Sequence, residues 1–279
     1  MTTTSVWVSR NNRKTLDVSE YIDKSPWTGD YAVFNMMIYG EPGEGKTPLL
    51  GTVVDAPEML PALLIDCDSG TLSVRDREGL NTLHLPKMAA QLTIQEKRDI
   101  SPWKALEEAY RWLAQDEHEY KTIMLDGGTE IQRYCELECI AYGIEKKNSG
   151  DHDPELAELA DYRRIHERMK RMYMRFRDLQ TQDGRRINFL ATAHEGKSKD
   201  DLTGKMFIQP LFIGKATVLI SSVFDIIARL TTADVSNKKD VKVLVPAING
   251  TARGRDRSGN LGGFIENPTM LKIYEKIRG

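Results

Sequence analysis

Short apolar runs separated by polar, glycine-bearing stretches set the plan of this chain. "AVFNMMIY" (Ala32–Tyr39), "ALLID" (Ala62–Asp66), "KTIMLDG" (Lys121–Gly127) and "RINFLATAH" (Arg186–His194) are short and almost continuously apolar. That is the pattern of strands buried on both faces. "NTLHL" (Asn81–Leu85) reads as a further short strand. Helical spacing fills the intervals. "SPWKALEEAYRWLAQ" opens on Ser-Pro, a helix-entry signal. Residues 129–142 read as a helix, 146–154 as a polar loop, and a long helix is expected from about Glu155 to Gln182. On that long helix Ile165, Met169, Met172, Phe176 and Leu179 form one apolar stripe. Arg164, Arg168, Arg171 and Arg175 follow one position round. They read first as a solvated face, with a DNA path or a subunit contact as alternatives.

Residues 195–213, "EGKSKDDLTGKMFIQPLFI", read as a mobile loop with a short extended end. "KATVLISS" reads as helix, and "VFDIIARLTT" and "VKVLVPAI" as strands paired around the polar turn "SNKK". Strands alternating with helices predict an α/β fold, with a mainly parallel central sheet flanked by helices and a late antiparallel hairpin. Three segments are expected: an N-terminal arm or lead-in over 1–30, a core over 31–263 and a C-terminal extension over 264–279.

Composition narrows the class. With 279 residues, 40% of them hydrophobic and 29% charged, the chain can form a large α/β core. A net charge of −2 gives no whole-chain nucleic-acid signal, so any basic surface is local. No apolar run is long enough to span a membrane, and "MTTTSVWVSRNNRK" has no secretory h-region. The odd count of three cysteines fits a reducing cytoplasm. Cys135 and Cys139 are spaced for one helix face and read as buried thiols rather than half of a metal site.

The chemistry is concentrated in "GEPGEGKT", which fits G-x-x-x-x-G-K-[ST] between a buried strand and a helix. Gly40, Glu41, Pro42, Gly43, Glu44, Gly45, Lys46, Thr47 and Pro48 would cradle phosphates. Lys46 would reach the β- and γ-phosphates, and the Thr47 hydroxyl would hold Mg²⁺. Asp126, ending "TIMLD", is the expected second magnesium residue. Asp66 and Asp68, two apart at the end of a strand, would share a face, and either could serve as the base for water. His194 ends its strand as a candidate sensor of the γ-phosphate. Pro48 is the oddity, because it lacks the N–H that such loops usually offer the α-phosphate.

"YGEPGEGKT", "LLIDCDSG", "TIMLDG" and "FLATAHE", in that order over about residues 33–260, resemble the RecA-like branch of P-loop ATPases. The likeness is greatest to phage-encoded recombination ATPases of the Sak type, an AAA-like NTP-binding group. The resemblance implies ATP and Mg²⁺ as ligands and Asp68 as the residue that activates water. It also implies a host-cell cytoplasmic location. His194 stands where glutamine is commoner in that family, which would add pH dependence. Head-to-tail homo-oligomers are implied, with arginines acting in trans. Arg253, Arg255 and Arg257 in "NGTARGRDRSGNLGG" are the candidates, Arg253 and Arg255 foremost. The stretch after His194 occupies the place of a DNA-binding loop, where Lys197, Lys199 and Lys205 would meet phosphates and Phe207 would stack on a base.

The leading expectation is therefore a DNA-stimulated ATPase that anneals or exchanges single-stranded DNA. The alternatives are an ATP-dependent loader gripping a single-strand-binding or replication protein, and a P-loop kinase. A GTPase is rejected because "NKKD" (Asn237–Asp240) falls in the expected hairpin turn and "DGGT" breaks D-x-x-G.

Overall fold

In the computed structural model, the described residues are 33–147, 153, 156–182, 184–199, 204–246 and 251–279. The N-terminal arm expected over 1–30 lies outside them, as do Asp200 and Asp201 of the lysine loop. The elements run β1 (Asn35–Gly40), α1 (Lys46–Gly51), β2 (Ala62–Asp66), β3 (Leu80–His84), α2 (Leu85–Glu96), α3 (Pro102–Gln115), β4 (Thr122–Asp126), α4 (Gly128–Lys147) and α5 (Leu159–Arg177). They continue with β5 (Asn188–Lys199), β6 (Met206–Pro210), α6 (Ala216–Ser221), β7 (Ile226–Val235), β8 (Lys238–Val245), β9 (Arg255–Asp256), β10 (Ile265–Glu266) and α7 (Met270–Arg278).

The sheet order is β10-β8-β7-β1-β5-β4-β2-β3. From β7 to β3 the neighbours are parallel, while β7, β8 and β10 add antiparallel pairs. This is the expected fold class, with the hairpin turn at Ser236 and Asn237 as read from "SNKK". One strand, β5, separates the P-loop strand β1 from β4, which ends in Asp126.

The continuous apolar runs are explained by two cores, one on each side of the sheet. Met37, Tyr39, Leu63, Ile65, Ile123, Leu125, Phe189 and Ala191 face the first, which α2 to α6 cover. Met36, Ile38, Ala62, Leu64, Met124 and Leu190 alternate with them to face the second, which α1 and α7 cover. The α5 stripe is buried as its spacing predicts, from Ile165 to Phe176, with Leu179 just beyond the helix. All three cysteines are buried free thiols.

Two local expectations are corrected, and two further stretches take on structure of their own. Within 195–213, residues 195–199 and 206–210 are strand rather than loop. β5 continues to Lys199 and pairs antiparallel with β6, from Glu195↔Pro210 to Lys199↔Met206. The alternating glycine, lysine and serine hid the strand because half of it faces water rather than a core. Helix α5 begins at Leu159, not 155, where Glu158 and Asp161 form a reciprocal cap. Helix α2 went unread because its faces are weakly contrasted, although Pro86 marks its first turn. Residues 264–279, set apart as an extension, supply β10 and α7. Met270, Ile273 and Tyr274 of α7 are buried against the second core, with Met270 N donating to Thr52 Oγ1 at 2.8 Å.

Helix α7 therefore closes one face of the sheet. Ile273→Ala is expected to lower unfolding free energy by about 3 kcal/mol, the scale of a fully buried large-to-small change. Urea denaturation measures it, with exposed Lys276→Ala as a near-neutral control.

Candidate functional site

The loop after β1 is shaped by its neighbours and its glycines. A Cβ on Gly40 would lie 2.4 Å from the Leu230 carbonyl oxygen of β7, so only glycine passes there. Gly43 and Gly45 take φ of 84° and 94°, values that favour glycine. Leu49 N donates to Gly45 O at 3.0 Å and starts α1. The three preceding residues, Lys46, Thr47 and Pro48, stand in the first turn, where Lys46 and Thr47 keep N–H groups with no helical acceptor and Pro48 has none to offer. Lys46 Nζ donates to Gly40 O and Glu41 O, each at 2.9 Å. Burial lowers its proton affinity, against the opposing pull of Asp126 and Asp68. Glu44 is tied outward, accepting from Lys242 Nζ at 2.7 Å and Thr232 Oγ1 at 2.9 Å.

The metal candidates are in direct contact. Thr47 Oγ1 donates to Asp126 Oδ2 at 2.6 Å. Thr192 Oγ1 donates to the other oxygen, Oδ1, and accepts from Gly127 N at 3.0 Å. Burial pushes the Asp126 carboxyl up, and the two hydroxyls oppose that shift. Thr192 was not picked out in the sequence. Its signal is position: a hydroxyl two residues before the end of an apolar strand, in register with Ile38 next to the P-loop.

A cavity of about 350 Å³ opens here, lined by Gly45, Lys46, Thr47, Asp68, Asp126, Thr192 and His194 among others. Asp66 is not part of that lining. Its carboxylate is engaged by Gly70 N, Thr71 Oγ1 and His84 Nδ1 instead. So the two aspartates do not share one face. Asp66 ends β2, whereas Asp68 sits in the turn beyond it. Burial, then the charges of Asp126 and Asp66, push the Asp68 carboxyl up to about 6. His194 N donates to Thr129 Oγ1 at 3.1 Å, while its buried Nδ1 has no partner among the described residues. Burial and the Lys46 charge lower its proton affinity. A glycine-formed cradle, a lysine head held only by carbonyls of its own loop and a paired Thr–Asp fit a nucleoside triphosphate with Mg²⁺.

The three arginines separate. Arg255 Nη1 donates to Ser221 O and Phe224 O at 3.1 and 3.0 Å, closing the end of α6. Arg257 pairs with Asp225 at 2.6 Å. Arg253 is exposed, and its guanidinium lies 4.9 Å from the centre of the Phe207 ring. Lys197 and Lys199 are exposed on the β5–β6 hairpin, opposite Ile208 and Met206. Phe207 is opposite Ser198, on the other face of that hairpin. Lysines and ring therefore do not form the single surface expected of them. Lys205 precedes β6. On α5, Arg164 and Arg168 stack on Tyr142 and Arg175 on Tyr110, so much of the arginine stripe packs on neighbouring helices.

Residues 33–258 match the profile of a family described as an AAA domain. No curated protein matches the chain in sequence. Among solved structures, an ATPase from the type III secretion system of pathogenic bacteria is similar at 13% identity and a TM-score of 0.40, over 71% of this chain and 52% of that one. The chain thus spans about half the length of that ATPase. The RadB recombinase is similar at 12% identity and TM-score 0.35, over 76% and 79%. A KaiC-like protein from Pyrococcus horikoshii OT3 is similar at 10% identity and TM-score 0.39, over 84% and 90%. No helix among the described residues is long and apolar enough to cross a membrane.

The raised Asp68 carboxyl gives a sign-defined test. A folded value of about 6 against an ordinary 3.8 means that the fold disfavours the ionised form. The penalty is fully present above about 6 and absent below 3.8. Asp68→Asn should therefore melt above wild type at pH 8, with the gap closing as pH falls from about 6 to 3.8. Melting temperatures across that range check it.

Proposed function

This chain belongs to the AAA domain family, and from that premise we propose that it is a magnesium-dependent ATPase acting on single-stranded DNA as an oligomer. The observation that carries the nucleotide reading is the convergence of Lys46, the Thr47–Asp126 pair and Asp68 on one cavity. Lys46 would exchange the carbonyls of its own loop for phosphate oxygens. Thr47 and Asp126 would hold Mg²⁺, and the bound ion would supply charge neutralisation at the phosphates. Asp68 orients and deprotonates the attacking water. Its raised proton affinity suits a base working near neutral pH. His194 lines the same cavity.

Assembly and DNA form the finer part of the proposal. Arg253 is the candidate to act in trans, because Arg255 and Arg257 are already hydrogen-bonded within their own chain. Lys197 and Lys199 offer two exposed charges on one side of a hairpin that continues the cavity-lining strand β5. They are the candidate phosphate contacts, and Phe207 serves instead as the rest for Arg253. Recombination of the Sak type, annealing or strand exchange, is the proposed use of the energy.

Hydrolysis with and without single-stranded DNA tests this. Lys46→Ala should abolish turnover. Lys197→Ala/Lys199→Ala should keep basal turnover and lose DNA stimulation, and the salt slope of DNA binding should fall by roughly 1.4, two single-strand phosphate contacts. Turnover indifferent to DNA, with a replication protein retained by pull-down, would replace the DNA reading with that of a loader. Pro48 adds a separate expectation. A charge-assisted hydrogen bond contributes about 1.5–3 kcal/mol, so Pro48→Ala should tighten ATP binding by the isolated subunit, measured by titration calorimetry.

A further inference from the structure

Asp66 has no part in the mechanism above, yet it is the most heavily bonded carboxylate near it. It ends β2 and is fully buried. Its Oδ1 accepts from Gly70 N at 3.1 Å, and its Oδ2 accepts from Thr71 Oγ1 at 3.1 Å and from His84 Nδ1 at 3.0 Å. His84 ends β3 and is in parallel register with Asp66. A carboxylate can only accept, so Nδ1 carries the hydrogen and the ring orientation is fixed. The rest of the ring reaches the surface, with 46% of the side chain exposed.

The same turn holds Asp68. Gly70 N also points at Asp68 Oδ1, at 3.1 Å, so one amide is shared by the two carboxylates. A Cβ on Gly70 would lie 2.8 Å from that same oxygen, so the Asp68 carboxylate is seated against the Gly70 backbone. Between them Ser69 takes φ of 63°, a left-handed conformation that a non-glycine residue adopts only under restraint. A turn of that kind persists where its surroundings restrain it. The restraint here is Asp66, through Gly70 and Thr71, and what fixes Asp66 from the neighbouring strand is His84.

The geometry points to His84 as a positioning residue for hydrolysis: through Asp66 it sets the turn over residues 66–71, and so where the Asp68 carboxylate stands in the nucleotide cavity. This rests on the reading of Asp68 as the base. His84 touches neither nucleotide nor water. Its loss leaves the phosphate loop intact and lets Asp68 wander from its seat.

The test pairs turnover with binding in the full chain. His84→Ala should lower kcat about tenfold, the lower end for a lost supporting hydrogen bond. Its affinity for a non-hydrolysable ATP analogue should stay within about twofold of wild type, since binding that does not depend on the base is uniform in ground and transition states. His84→Asn places an amide N–H where Nδ1 stands and should restore most of the turnover. Thr71→Val removes the other side-chain donor to Asp66 without changing shape. It should lower kcat in the same direction with analogue affinity kept, and it carries the test if His84→Ala fails to fold. Wild-type kcat in His84→Ala, or in Thr71→Val where that variant carries the test, overturns the inference alone when Asp68→Asn is inactive. Analogue binding lost together with kcat marks a merely structural role and also overturns it. Turnover surviving Asp68→Asn removes the base reading and this inference with it.

Discussion

The buried carboxylate of Asp126 is the constraint on which the rest of the site depends. It is 2% exposed at the end of β4. An ionised group so placed costs several kcal/mol unless every oxygen is satisfied. Satisfaction comes from two sides, Thr47 after β1 and Thr192 within β5. Because β5 lies between β1 and β4, the phosphate loop must lean across the end of β5 to reach it. Gly40 is pressed against β7 where no side chain fits, and two glycines in left-handed conformations turn the chain back. Three residues before Thr47, Glu44 is drawn the other way, held by Lys242 and Thr232 on the β7–β8 hairpin. The loop is thus stretched between two anchors, one in the parallel part of the sheet and one in the antiparallel part.

The two faces of the sheet do unequal work. Helices α2 to α6 cover one face with the larger core, where Tyr173, Phe176, Phe189 and Phe224 make edge and stacked ring contacts. The other face carries α1, and so the start of the nucleotide site, with α7 as the helix that completes its cover. Thr52, just past α1, takes the first amide of α7 on its hydroxyl. The chain's last helix therefore supports the element that follows the phosphate loop, although 220 or so residues separate them in sequence.

What could be read from sequence follows from how local the physics is. The buried strands were legible because both faces meet a core, which forces unbroken apolar runs. β2 and β4 end on the aspartates expected of them. The phosphate loop was legible because its glycines and lysine act within eight residues. Thr192 was not, since a threonine in a strand has no meaning until β4 is set beside it. Nor could spacing tell Asp66 from Asp68, because the partners that engage Asp66, Thr71 and His84, include one on another strand. The same holds for the arginines. Arg253, Arg255 and Arg257 alternate in a glycine-rich stretch and look equivalent, yet partners on α6 and at Asp225 take two of them. The helix α7 escaped because nothing in its sequence says which sheet face still lacks a cover.

β5 brings these levels together in one backbone. Thr192 holds the magnesium candidate, His194 walls the cavity, and Glu195 makes a two-pronged pair with Arg229 of β7 at 2.8 and 3.2 Å. The strand then leaves the sheet with Lys197 and Lys199. Glu195 and Arg229 come from the two strands that flank β1, so their pair spans the P-loop strand above Tyr39. Tyr39 in turn donates its hydroxyl hydrogen to the Arg253 carbonyl at 2.6 Å. A ligand that pulls on Thr47 or Asp126 therefore acts on a strand already braced at Glu195, with little freedom to absorb the displacement locally. Close packing favours transmission over deformation. The β5–β6 pair lies beyond the brace, and the Arg253 segment is bonded to it through Ile208. In this architecture the residues that would sense phosphate and those that would meet another macromolecule differ by a few positions along one strand, and the Glu195–Arg229 pair marks the boundary between them.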